Sequence, residues 1–311
     1  MSIYLKSKLI KERRKESGYS REELASGICD SSTLKRYENN GMIPNNSNYR
    51  LLQEKMGGNP EQLVFSYEVD FFNDIELYEK YEKLLVQHEY DKVANRVNNI
   101  REALINSKSI EATQFIGRIE LINSKLEEEK KRKQLEELLK KTVVDYDNGI
   151  FSIVRIYNET ELNLLNDIAI AYSREGQISK ALEIYKRLTD YFDKSIDNSE
   201  SLIIIKILIN YANKLGQTKK YDDAIEISKK CIRIMKRNSM QHLLYNVLFN
   251  FGWLYYKMGV DINDSNQLQK AKHYIKMSLA LGRYQNESIK NLNSIENFYN
   301  TINDCLQEYK F

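Results

Sequence analysis

The sequence predicts an all-α protein, a small helix-turn-helix head followed by a long array of helical repeats. Three observations predict it. The 311 residues hold only two prolines, Pro44 and Pro60, and twelve glycines, so few positions break a helix. Residues 20–38 read as two short helices joined by a tight turn. Glycines, alanines and aromatics then recur in a common order through the C-terminal half.

The head spans 1–66. Leu5, Leu9 and Ile10 recur at helical spacing, and Gly18 ends that first helix. Ser20 followed by Glu23 is a capping box, each side chain satisfying a free backbone donor of the other residue. Leu24 and Ala25 face inward, and Ala25 is small enough for two helices to meet closely. After the turn Ser26–Cys29, Asp30 or Ser31 caps a second helix that runs to about Tyr37. Leu34 and Tyr37 anchor it to the core, which leaves Ser31, Ser32, Lys35 and Arg36 on or near the exposed side. Ser32 and Lys35 are the candidates for base edges, since Lys donates to guanine acceptors and Ser bonds either way. Arg36, Arg21 and the run Lys11, Arg13, Arg14, Lys15 are assigned to phosphate contacts or to structure. Helices at 47–56 and 60–65 complete a five-helix head, the last with Asn59 as its cap and Pro60 in first position.

Charge points the same way. Residues 1–64 carry eleven Lys/Arg against eight Asp/Glu, whereas the remainder carries 36 of each. A generic amphipathic hairpin with a solvated basic face is the competing reading. The capping box, the small residue before the turn and the hydroxyl-rich second helix favour DNA binding.

Leu24-Ala25, Ile28-Cys29, Ser32, Arg36 and Glu38, followed by Asn39-Asn40-Gly41 and Pro44, resemble the lambda-repressor-type (XRE) DNA-binding domain. The resemblance implies a structural pair between Arg14 and Glu38. The turn around Ile28-Cys29 is one residue shorter than the general pattern. It is more similar to the version in peptide-pheromone-responsive regulators of Gram-positive bacteria. Lys35 stands where serine or threonine is common there, so no base preference carries over.

The body, 67–311, contains degenerate units. Unit one is Leu165, Ile168-Ala169, Tyr172, Gly176, Ala181, Tyr185, Leu188. Unit two is Ala212, Gly216, Tyr221, Ala224, Ser228, Cys231. Unit three is Gly252, Tyr255, Gly259, Ala271, Ile275, Ser278. Each reads as a helix, a glycine turn and a second helix that opens near an alanine. This resembles the tetratricopeptide repeat, whose period is about 34 residues, and implies a right-handed helical solenoid. The alanines here lie 43 and 47 residues apart, which assigns insertions to Gln217–Lys220 and Val260–Gln269 together with longer helices. An earlier unit is expected at Leu77–Ile100 and another helical pair at Ser109–Asn148. An irregular bundle is the plainer alternative.

In such a solenoid the first helix of each unit lines the concave surface. Helical projection places Asn163, Asn166, Asp167, Ile170 and Arg174 of unit one on that face. Unit two contributes Ile203, Lys206, Asn210 and Asn213, and unit three Asn246, Phe249, Asn250, Trp253, Tyr256 and Lys257. A ladder of asparagines pairs with the backbone of an extended peptide, since each amide both donates and accepts. Phe249, Trp253 and Tyr256 offer apolar contacts, and Lys206 or Arg174 a carboxylate partner. The run Leu126–Lys141 reads instead as a solvated helix, because Glu127, Glu128 and Glu129 sit four residues before Lys131, Arg132 and Lys133.

A head of this type followed by a repeat solenoid resembles the RRNPP (Rgg/PlcR/PrgX-type) family over nearly the full length. The resemblance implies a quorum-sensing transcription regulator that binds operator DNA and a short signalling peptide, and that dimerises through its solenoid. An adaptor, or a repressor whose repeats hold a protein partner, is the alternative. No Cys/His or Ser/His/Asp constellation, phosphate loop or metal spacing suggests an enzyme, a cofactor or a metal. Three scattered cysteines, no signal-peptide pattern and no long apolar run lead to the expectation of a cytoplasmic protein with no membrane segment.

Overall fold

The computed structural model describes residues 10–56, parts of 80–103, and 110–194, 202–237 and 241–308, apart from a few positions inside those ranges. The expectations for Leu5, Leu9, the helix at 60–65, a boundary at 66/67 and most of the unit at 77–100 lie outside them. The chain divides into two compact units, Met1–Asn198 and Ser199–Phe311, each described by itself.

The first unit begins with the head. Gly18 (φ +73°) ends the opening helix, with the Tyr19 amide donating back to the Arg14 carbonyl at 3.1 Å. Helix α1 (Arg21–Ala25) carries the expected capping box. Ser20 Oγ accepts from the Glu23 amide at 3.1 Å, and Glu23 Oε2 accepts from the Ser20 amide at 2.8 Å. The turn to α2 (Ser31–Glu38) passes through Gly27 at φ +80°, a left-handed conformation that suits glycine. The amides of Ile28 and Cys29 both close on the Ala25 carbonyl at 2.9 Å. Asp30 takes the N-cap position of α2 but makes no side-chain capping bond. With α3 (Asn46–Lys55), these elements enclose one core of Ile10, Leu24, Ala25, Leu34, Tyr37, Tyr49, Leu52 and Met56.

Among the described residues there follow helices α4 (Val97–Ala103), α5 (Ile110–Asn123), α6 (Glu128–Lys140), α7 (Glu159–Arg174) and α8 (Ile178–Lys194). Helices α5 and α6 are the pair expected within 109–148. They are followed by a tight Asn-Gly turn in which Asp147 and Ile150 exchange both backbone bonds, with Asn148 at φ 48° and Gly149 at φ 96°. Asn158 and Glu161 form a second capping box that opens α7, and Gly176 (φ +81°) turns the chain into α8. Helix α7 is packed by α5, α6 and α8. Of residues 160–172, only Ile170 is not buried.

The second unit is α9 (Leu202–Gln217), α10 (Tyr221–Arg237), α11 (Leu244–Ile262), α12 (Ser265–Tyr284) and α13 (Ile289–Glu308), each packed on the next, with α9 also against α11. The small residues stand where helices cross. A Cβ at Gly252 would lie 2.4 Å from Ile275 Cδ1 and 3.2 Å from the Ala271 carbonyl. Gly216 lies inside α9 rather than in a turn, and a Cβ there would meet Leu254 Cδ2 at 2.4 Å and Trp253 Cζ3 at 2.7 Å. The long repeat spacing does not come from the insertion expected at 260–269, since α11 runs to Ile262 and α12 starts at Ser265. The extra residues lengthen the helices themselves. Among the described residues, no helix is long and apolar enough to cross a membrane.

Candidate functional site

The head presents α2 as the sequence requires. Leu34 and Tyr37 enter the core, and Tyr37 Oη is further fixed by the Asn48 amide at 3.1 Å. Ser32, Lys35 and Arg36 are exposed at i, i+3 and i+4, one face of the helix, while Ser31 is half-buried beside them. Such a face can donate to phosphates and to base edges.

Arg21, assigned above to phosphate contact or to structure, makes a structural contact. Its Nε donates to Glu38 Oε2 at 2.7 Å, while Arg14 Nε donates to Oε1 at 2.5 Å and Arg14 Nη1 to the Tyr19 carbonyl at 2.8 Å. The Glu38 side chain is fully buried. A buried carboxylate needs paired donors, and two arginines supply them, so Arg21 ties α1 to α2 instead of reaching outward. Lys55 adds a contact with no sequence signal: its Nζ donates to the Glu23 and Ser26 carbonyls at 2.6 and 2.7 Å, at the exposed end of α1.

In the first unit, the four polar residues projected onto a groove all bond within the fold. Asn163 is buried and donates to the Glu159 carbonyl at 3.0 Å. Asn166 is buried and donates to Asp167 Oδ1 at 3.3 Å. Arg174 is exposed but donates to Glu128 Oε1 on α6 at 3.3 Å. Projection assumed one covered face, whereas α7 is covered by three helices. Its polar residues therefore join an interior network. Arg118 Nε donates to Asp167 Oδ2 at 2.5 Å. Glu136 Oε1 accepts from the hydroxyls of Tyr146 (3.0 Å) and Tyr172 (2.9 Å), and its Oε2 accepts from Arg132 Nη1 (2.9 Å). Arg132 also donates through Nε to Glu175 Oε1 at 2.7 Å and stacks 4.5 Å from the Tyr172 ring centroid. Burial, then the Glu136 carboxylate, pushes the Tyr172 hydroxyl up to about 12.

The second unit divides its expected site residues among several neighbours of α11. Phe249 packs on Phe298 of α13 at 5.5 Å between ring centroids. Tyr256 meets Phe298 edge-on at 5.2 Å and reaches Cys305 Sγ at 3.7 Å. Asn250 is only 2% exposed and donates to Ser228 Oγ on α10 at 3.2 Å, so it is not an open rung. Trp253 is half-buried against Gly216 on α9. Asn246 is half-buried within hydrogen-bonding reach of the Tyr245 hydroxyl. On α9, Lys206, Asn210 and Asn213 are all half-buried at i, i+4 and i+7, which keeps them on one side of that helix. Of the half-buried expected residues, Phe249 and Tyr256 pack on Phe298, and the others are Lys206, Asn210, Asn213, Asn246 and Trp253.

A helix-turn-helix family profile matches residues 10–63, and the profile of the RNPP family C-terminal domain matches residues 75–294. No curated protein sequence matches. Among solved structures, the chain is similar to Bacillus thuringiensis PlcR in complex with the peptide PapR7 and DNA. The identity is 20%, over 90% of this chain and 97% of that one, with a TM-score of 0.55. It is also similar to ComR from S. thermophilus in complex with DNA and its signalling peptide ComS, at 15% identity over 96% and 99%, TM-score 0.55. The apo form of ComR from Streptococcus vestibularis gives 15%, 94%, 97% and 0.50. At these identities the structural likeness speaks to fold, an all-α chain with a helix-turn-helix head and helical repeats. The C-terminal profile covers more than two thirds of the sequence, and the chain belongs to the RNPP family.

Proposed function

We propose that this protein is a DNA-binding transcription regulator switched by a short signalling peptide. Residues 1–66 read duplex DNA through Ser32, Lys35 and Arg36. Residues 67–311 form the regulatory part, in which the second unit supplies the peptide contacts. The observation that carries the reading is the joining, in one chain, of a helix-turn-helix match to an RNPP C-terminal match. The PlcR and ComR structures hold peptide and DNA together, which supports the same pairing of ligands here.

On this reading Asn210, Asn213 and Asn246 bond the backbone of the peptide, Lys206 takes a carboxylate and Trp253 an apolar side chain. The chain acts by binding and has no catalytic step, and it works in the cytoplasm as a homodimer. Two heads occupy two half-sites only when held about 34 Å apart or a multiple of it. The peptide switches occupancy by favouring one arrangement, for which it must bind the two states with different affinity.

Trp253 is the single tryptophan, so its emission reports binding directly. Full-length protein titrated with a library of short synthetic peptides is expected to show a peptide that shifts Trp253 emission. The same peptide should change affinity for a duplex selected from a random pool by about 5- to 150-fold. If no peptide alters duplex occupancy, the proposal fails.

A further inference from the structure

The chain as a whole carries a net charge of +3, but that figure conceals a segregation. Residues 227–286 hold ten Lys/Arg against two Asp/Glu, Asp261 and Asp264, while 37 and 42 remain outside that segment. One sixty-residue stretch is thus at +8 and the rest of the chain at −5. Helix α12 contains no acidic residue at all. The contrast with α6 is informative, because that helix has a denser run of cations. There Lys130 pairs with Glu127, Lys131 with Glu128, Lys133 with Glu129 and Arg132 with Glu136. Helix α10 opens with Asp222, Asp223 and Glu226, the last paired with Lys229 at 2.7 Å, but no Asp or Glu follows Lys229 for thirty residues.

The fold brings these cations together. Helix α11 lies between α10 and α12, and its half-buried Tyr255 stacks on Tyr274 of α12 at 5.5 Å and 9°. Lys270 of α12 sits 5.5 Å above the Tyr255 ring, and Lys229 of α10 is close enough to the same phenol to act on its charge. Arg233 and Lys236 continue the Lys229 stripe at i+4 and i+7, and Lys276 lies further along α12; all are exposed.

We propose that the α10/α12 surface of the second unit is a separate nucleic-acid contact that grips the phosphate backbone of duplex DNA without reading sequence. Lysine is depleted at protein–protein interfaces, whereas protein–DNA interfaces are strongly cationic. A repeating row of phosphates is the anion that suits cations spread over two helices. The gain comes from counterion release, which needs no base contact. The inference does not rest on the peptide reading, and a peptide response can survive its failure.

The test uses the full chain and a duplex of arbitrary sequence, with binding followed by fluorescence anisotropy at several salt concentrations. In the variant Lys229→Gln/Arg233→Gln/Lys270→Gln/Lys276→Gln, the slope of log Kobs against log salt should fall by about 3 to 4. Raising salt from about 50 to about 200 mM should then weaken the wild type on the order of 100-fold more than the variant. Lys130→Gln/Lys133→Gln in α6 should leave the slope alone, and all these side chains are exposed, so the far-UV spectrum and melting curve serve as folding checks. An unchanged slope in the fourfold variant overturns the proposal. So does a loss of affinity for polyglutamate with duplex binding intact, which would mark the surface as a dock for an acidic protein. A Lys35→Gln variant, read on the selected duplex, tests the head separately.

Discussion

Helices α7 and α11 read alike as sequence, each the asparagine-bearing first helix of a repeat, yet they are built into the molecule by different physics. Helix α7 is buried nearly all round and keeps its polar side chains by pairing them with charges from α5 and α6. Helix α11 is held by shape, with glycine at its crossing to α12 and aromatic rings against α12 and α13. The difference teaches that a shared repeat pattern specifies where helices cross, but not which of their faces remain open. Ion pairs make the interior of the first unit intolerant of losing a single partner, because an uncompensated buried charge costs more than the pair contributes. Close packing makes the second unit intolerant of added volume.

The comparison breaks most sharply at Asp167. Asp167→Ala removes the carboxylate paired with the fully buried Arg118 and should cost about 3–5 kcal/mol, seen as a lower urea midpoint by circular dichroism. Arg118→Met/Asp167→Ala should recover much of that loss. A double variant no better than the single one would mean that the pair is not what holds α5 to α7. The matching change in the second unit is Gly216→Ala, which pushes a methyl into Leu254 and Trp253 and should cost about 1–3 kcal/mol. Trp253 emission should move with it, and unaltered emission would show that α9 gives way without touching the indole.

A smaller effect separates asparagines that bind from asparagines that build. Asn250→Ala removes the bond to Ser228 and should cost about 1 kcal/mol of stability. Asn213→Ala should leave the urea midpoint in place and weaken a responsive peptide by about tenfold, the loss of one hydrogen bond at roughly 1.4 kcal/mol. The reverse pattern, with Asn213 sustaining stability and Asn250 sustaining affinity, would relocate the candidate site.

The head and the repeats were legible to the extent that their signals are local. Ser20 with Glu23, Gly18, Leu34 with Tyr37, and Gly252 with Ala271 act over a few residues or through residue size, and each stands where its chemistry predicts. The capping box at Asn158 and Glu161 carries the same signature and was readable in the same way. What covers a face was not legible, because the covering group comes from far along the chain. Cys305 reaches Tyr256 across 49 residues, Asp167 reaches Arg118 across another 49, and Glu38 draws in Arg21 from 17 residues away. Helical projection yields faces without their neighbours. The charge segregation on α10 and α12 was present in the sequence, but counting the whole body together cancelled it against the acidic remainder.

The finest test of the contrast between α7 and the second unit is alkaline pH, where one buried acid in each unit reports on its surroundings. Tyr172 is raised to about 12 by burial and then by Glu136, and Cys231 on α10 is raised to about 12 by burial alone. Both groups are neutral when protonated, so a raised value means that the folded state holds the proton more tightly than the unfolded one. Their contributions are complete below the unfolded values of 10.0 and 9.0 and are lost as pH climbs toward about 12. Urea midpoints followed upward from pH 8 should therefore fall for the wild type. Cys231→Ala should fall less from pH 9 onward, and Tyr172→Phe less from pH 10 onward. Tyr172 differs from Cys231 in having a partner, so adding Glu136→Gln should diminish the Tyr172 effect and leave that of Cys231 untouched. If Glu136→Gln flattens both equally, the two acids answer to a shared global transition instead of to their separate interiors.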